Sequence, residues 1–161
     1  MSTIMLLLAV LCDGRMSRPA SVCTCVTRPA SVKARVKEEL RRYDAVFVGS
    51  VTSVRDTVVP LFPESPRSEI RVRLAVVALD QSWKGPASTS LVIWTGAGGG
   101  DCGYPFEVGR RYLIFAFATD SSRLSAHSCS LTQLLDGAGK YVRALGTPRY
   151  RRETPLDSTR P

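Results

Sequence analysis

Four cysteines most constrain this chain: a close pair in Cys23-Thr24-Cys25 and two distant singles, Cys102 and Cys129. A Cys23–Cys25 bridge would close a very small, strained ring, so each early cysteine is expected to pair with a late one. Either pairing closes loops of about 80 to 105 residues, and the chain-entropy model assigns each bridge about 4–5 kcal/mol. Typical domains are stable by about 5–15 kcal/mol, so such bridges bear on whether the chain folds at all. They would also fasten the segment around Cys23 rigidly against the body.

The fifth cysteine, Cys12, ends an apolar run, Ile4 to Cys12 (IMLLLAVLC). That run is too short for a membrane-spanning helix, which takes about 20 residues. It fits the core of a secretory signal peptide, and the small residues Ala20 and Ser21 follow it. Two features fit less well: Met1-Ser2-Thr3 carries no basic residue, and Val22 is large for a position just before a cut. Lipid attachment at Cys12 is not expected, because Val10-Leu11 lacks the small residue that normally precedes a lipidated cysteine. Removal of 1–22 would leave four cysteines, as suits an oxidised exported domain. The expected layout is a leader over 1–22, one domain over 23–146 and a disordered basic tail over 147–161. The expected location is secreted, extracellular or periplasmic.

The length of 161 residues suits one domain with a real core. Ten prolines and twelve glycines favour a mainly β design. Pro29 to Tyr43 reads as a helix, with Val32, Val36, Leu40 and Tyr43 forming one apolar stripe. Ala45 to Val54 reads as a strand in which Gly49 marks a bulge or bend. Arg55 to Ser68 holds Pro60, Pro63 and Pro66 and is predicted to be an exposed loop. In Glu69 to Leu79, Ile70, Val72, Leu74 and Val76 are predicted to face the core, with Arg71 and Arg73 opposite. Trp83-Lys84-Gly85-Pro86 is predicted to turn the chain. Further strands are predicted at Ser90–Thr95, at Arg111–Ala118 (central, because nearly all apolar) and near Arg123–Ala126. One or two short helices, broken at Gly137 and Gly139, are predicted within Leu131–Ala144. Five strands, one bent by glycine, with flanking helices, make a closed barrel of the oligonucleotide/oligosaccharide-binding (OB) type the natural candidate, though composition does not separate it from a small sandwich.

Chemistry-bearing groups are sparse. The single histidine, His127, lacks the partners of a hydrolytic triad or zinc enzyme and is expected to be an exposed side chain. Gly96 to Gly100 (GAGGG) lacks the lysine and hydroxyl residue of a phosphate-binding loop. One CxC and two distant cysteines do not match structural zinc spacings. No enzyme activity and no cofactor are expected. The net charge of +8 allows an anionic polymer as partner through a basic surface. Nucleic acid is not expected, because aromatics make up 7% and mostly fall in strand cores.

Cys23-Thr24-Cys25-Val26, a helix, Phe47-Val48-Gly49, Trp83-Lys84-Gly85, Cys102-Gly103-Tyr104 and Cys129-Ser130 follow one another in this order. Together they resemble the netrin-like domain, in particular the inhibitory N-terminal domain of the tissue inhibitors of metalloproteinases, here in single-domain form. The resemblance runs from Cys23 to about Gly146. It implies an OB-type barrel with two disulfides, Cys23–Cys102 and Cys25–Cys129. It implies an inhibitory tip of Cys23, Thr24, Cys25 and Val26. In that family the first cysteine's backbone amine and carbonyl chelate the catalytic zinc of a target metalloendopeptidase, so Cys23 would be a ligand in trans. The residue after it, here Thr24, would enter the enzyme's specificity pocket. The chain departs from the vertebrate members in lacking cysteines for a third bridge and in having Thr27 where they often have proline. The other reading of the same residues is a netrin-like binding module without inhibitory activity, docking on a protein or an anionic polymer.

Overall fold

The computed structural model describes residues 23–26, 31–62, 65–98, 100–119 and 123–152; the leader (1–22), Thr27 to Ala30 and the tail beyond Arg152 lie outside them. The chain is mainly β. Helix α1 (Val32–Arg42) is followed by β1 (Ala45–Phe62), β2 (Ser65–Lys84), β3 (Ser90–Gly96), β4 (Arg111–Ala118), β5 (Leu124–Ser125) and β6 (Gln133–Leu134). A 3₁₀ turn (Leu135–Gly137), helix α2 (Gly139–Leu145) and β7 (Tyr150–Arg151) complete it. No helix among the described residues is long and apolar enough to cross a membrane.

Helix α1 begins where Ser31 Oγ accepts the Ala34 N–H at 3.3 Å, satisfying one of the donors a helix start leaves open. It ends at Tyr43, and there Lys84 Nζ donates to the carbonyls of Leu40 and Tyr43. A cation at that end also complements the helix dipole. Val36 is buried, with Val32 and Leu40 packed around it, as the apolar stripe requires.

The strands close on themselves. β1 pairs with β2, β2 with β3, β3 with β5, β5 with β4, and β4 returns to β1 along Ala45–Ser50. This ring of five strands is antiparallel except for the short β3–β5 pairing. β6 lies against β4 and β7 against β2. Apolar residues of both phases along β1 and β4 are buried, which makes these strands central. One set (Phe47, Val51, Ile114, Tyr112) packs with Val77, Leu79 and Ile93 into the enclosed core. The other (Val46, Val48, Leu113, Phe115) packs outward under α1 and α2 with Val36, Trp83 and Tyr141. The ladder shifts register between Val48 and Gly49, as the glycine predicts, and a Cβ there would meet the Ala78 carbonyl oxygen at 2.5 Å.

Three predictions need correction. Most of Arg55–Ser68 is not a loop: β1 runs to Phe62 and β2 starts at Ser65 as a two-stranded arm, with Val58 opposite Arg71 and Pro60 opposite Glu69, while Pro63 and Glu64 lie outside the described residues. An arm strand has a neighbour on one side only, so proline is tolerated wherever the missing N–H would face solvent. On β2 Leu74 is buried as predicted, but Ile70 is 39% exposed on the arm, and Ala75, Val77 and Leu79 of the other phase are the fully buried residues. Alternation over 70–76 misled in part because both phases are apolar from Leu74 to Leu79, and β2 joins the ring only from Val72, where its pairing with β3 begins. The tail is ordered further than expected: Tyr150 and Arg151 pair with Ser82 and Gln81, and Arg152 donates to the Thr89 carbonyl at 2.8 Å.

Candidate functional site

The site is built from three stretches far apart in sequence: Cys23–Val26, the turn at Cys102 and the turn at Cys129. Bridges Cys23–Cys102 and Cys25–Cys129 join them across 79 and 104 residues. The two receiving turns are also bonded to each other. Ser128 donates to the Cys102 carbonyl through its N–H (2.9 Å) and its hydroxyl (3.0 Å), and Gly103 bridges His127 in antiparallel fashion. The early segment therefore rests on one platform.

Each turn is held locally. The Asp101 carboxylate accepts the N–H groups of Gly98 (3.2 Å) and Gly103 (3.0 Å), and Cys102 sits at φ +56 between them. Thus Gly98, Asp101 and Gly103 together hold a turn that presents a cysteine. Beyond it, the Tyr104 N–H donates to Thr95 Oγ1 at 2.6 Å and its ring packs against Phe106 and Tyr112. At the second turn Ser130 Oγ donates to the His127 carbonyl (2.9 Å) and accepts the Thr132 N–H (3.1 Å).

On this platform Cys23–Val26 belongs to no helix or strand. Cys23 is half-buried, whereas Thr24, Cys25 and Val26 are exposed, Val26 to 85%. All four residues singled out in the sequence thus stand together, with side chains two and four projecting from a doubly tethered backbone. Among the described residues the sulfurs of Cys23, Cys102 and Cys129 lie within 4.8 Å of one another. The bridges consume them, so they are not thiolate donors for a metal.

Beside the tip runs a groove of about 260 Å³ between Thr24–Val26, helix α1 and His127; Arg35, Glu38, Glu39 and Arg42 supply its charges. A larger cavity, about 700 Å³, opens on the other side of His127, under the β1–β2 arm. Leu61, Ile70, Trp94 and Phe117 line it, and the Arg123 guanidinium lies 4.7 Å above the Trp94 ring.

His127 is not the exposed side chain expected. It is half-buried, with Tyr43 Oη 3.1 Å from Nε2 and the Cys129 N–H donating to Nδ1 at 3.1 Å. Since Nδ1 accepts, the neutral ring carries its proton on Nε2 and donates to Tyr43. Burial, followed by the charge of Arg42, pushes its pKa below the ordinary histidine value. Burial, then Glu39, pushes the Tyr43 phenol up, which keeps it neutral. The sequence hid this pairing because the two residues are 84 positions apart. The one local signal was the place of His127 two residues before a bridged cysteine.

Comparison with protein-family models and with curated proteins returns no match for this chain.

Proposed function

We propose that this domain is an inhibitor of zinc metalloendopeptidases, resembling the inhibitory domain of the tissue inhibitors of metalloproteinases, on a netrin-like, OB-type barrel. One observation carries the reading: a short segment, Cys23-Thr24-Cys25-Val26, is tethered at both cysteines yet projects Thr24 and Val26 into solvent. A large apolar side chain left 85% exposed on a cross-linked backbone is what a preformed docking element presents. Binding such an element orders little, so contact energy is not spent on fixing its shape.

In this reading the backbone amine and carbonyl of Cys23 ligate the target's zinc. They displace the water that the metal activates, and without it the enzyme has no nucleophile. The amine must be free and neutral; its reference pKa is about 8, and the metal favours the unprotonated ligand. Thr24 enters the specificity pocket, and Val26 extends the contact.

The second reading, a binding module for an anionic polymer, has its own support. Lys33, Lys37 and Arg41 are exposed at four-residue intervals along α1, and Lys140 and Arg143 are exposed on α2. The experiment that separates the readings is N-terminal sequencing of the exported protein followed by inhibition assays on zinc endopeptidases. Inhibition is expected from chains beginning at Cys23, and one added alanine before Cys23 is expected to abolish it without altering the circular dichroism. Chains that begin at Cys23 and inhibit nothing, or inhibition that survives the added alanine, would overturn the chelation mechanism.

A further inference from the structure

One residue touches both turns that anchor the tip. The backbone of His127 bridges Gly103, next to Cys102. Its Nδ1 accepts the N–H of Cys129, which bonds Cys25. Its Nε2 donates to Tyr43, the residue that ends α1, and its ring stacks obliquely between Tyr43 (5.9 Å) and Phe117 (5.7 Å). Tyr43 is itself immobilised: it is 4% exposed and meets Phe115 edge-on. His127 also forms the wall shared by the tip groove and the arm cavity.

We propose that neutral His127 is the positioning residue of the tip: its two ring hydrogen bonds set the Cys129 turn against α1, and protonation releases that turn and with it Cys25 and Thr24. The chemistry is direct. An imidazolium has two N–H donors and no acceptor, so it cannot take the Cys129 N–H. Two donors then face each other at a half-buried place, and the turn must move or lose a hydrogen bond. The other charged groups on the walls are Arg35, Glu38, Glu39 and Arg42 from α1, Arg71 from β2, Asp101 from the Cys102 turn, and Arg123 beside β5. Arg42 opposes a charge on His127, and Glu39 already lies 4.0 Å from Arg42. The sign follows: with the native pKa below the unfolded value of about 6.5, the contribution is whole above pH 6.5 and is lost as pH falls through the native pKa. Inhibition therefore acquires an acid limit. This inference rests on the inhibitory reading for its consequence but not for its structural half.

The chain has a single histidine, so its imidazole resonances can be followed by NMR from pH 8 to pH 5 without ambiguity. The expected midpoint lies below about 6.5, and the amides of Cys129, Cys25 and Thr24 should shift with the same midpoint while core amides such as Ile93 stay still. A midpoint at or above the ordinary value, or tip amides that ignore the titration, would overturn the proposal, and this arm needs no variant. In the second arm, wild-type and His127→Gln proteins are compared as inhibitors at each pH, so that the protease's own pH dependence cancels. The wild-type:variant affinity ratio should fall about tenfold per pH unit below the midpoint and be flat above it. A ratio that is flat throughout would overturn the positioning role. If neither protein inhibits at any pH, the inhibitory reading fails and the NMR arm alone decides the structural claim.

Discussion

At the scale of single residues, the short motifs that stand out in the sequence have distinct physical duties. In Trp83-Lys84-Gly85, Trp83 is buried in the outer core and donates to the Gly146 carbonyl at 2.8 Å. Lys84 caps α1, and Gly85 turns at φ +99 against Ala45, where a Cβ would come within 2.7 Å of the Ala45 side chain. Three neighbours thus join both helices and the first strand. Gly49 is the sharper test. A methyl group there would meet the Ala78 carbonyl oxygen at 2.5 Å and Val77 Cγ1 at 2.6 Å, one of them backbone of the paired strand. Gly49→Ala is therefore expected to cost about 1–3 kcal/mol, the usual range for overpacking a tight interior. Urea unfolding measures this; a loss below about 0.5 kcal/mol, within the ordinary range of surface substitutions, would show that the bend tolerates a side chain. Such duties were legible as motifs, but their reasons were not, because each depends on a partner distant in the chain.

At the scale of elements, legibility followed the regularity of the local signal. The apolar run of β4 and the stripe of α1 each reflect a single face or a fully buried strand, and both were readable. The β1–β2 arm was not, because proline normally marks a loop and only the one-sidedness of the pairing makes it harmless. That one-sidedness yields a prediction. Among the described residues, the arm beyond Thr57 and Val72 pairs only within itself, and Val58, Leu61 and Ile70 remain exposed on it. Replacing 58–71 by Asn-Gly would join Thr57 to Val72 through a two-residue turn, which suits the twist of a hairpin. The ring should persist, with Tm lowered by no more than about 4 °C, equivalent to about 1 kcal/mol in a domain of this size. Loss of the cooperative thermal transition would mean that the arm is part of the folding unit.

At the scale of the molecule, the two bridges act on one platform, and their energies should not simply add. The first to form closes a loop of 79 or 104 residues, which the chain-entropy model values at about 4.5 kcal/mol. Once Cys23–Cys102 exists, however, Cys25 is already two residues from a fixed point, and the second bridge closes a ring of only about 30 residues, worth about 3.5 kcal/mol. Removing Cys25–Cys129 alone, as Cys25→Ala with Cys129→Ala, should therefore cost about 3–4 kcal/mol and leave a folded domain. Removing both bridges should cost about 8 kcal/mol in all, a large part of a typical domain's stability of about 5–15 kcal/mol. Urea titration of the single-bridge and bridge-free variants gives the two midpoints. Equal costs for the first and second bridge removed would contradict the shared-platform account, since that account makes the last bridge the more costly to lose. The same reasoning joins stability to function: the cross-links that supply much of the folding free energy are those that fix Cys23 to Val26 in place. A variant with Cys23–Cys102 alone is expected to stay folded while holding Thr24 on one side only.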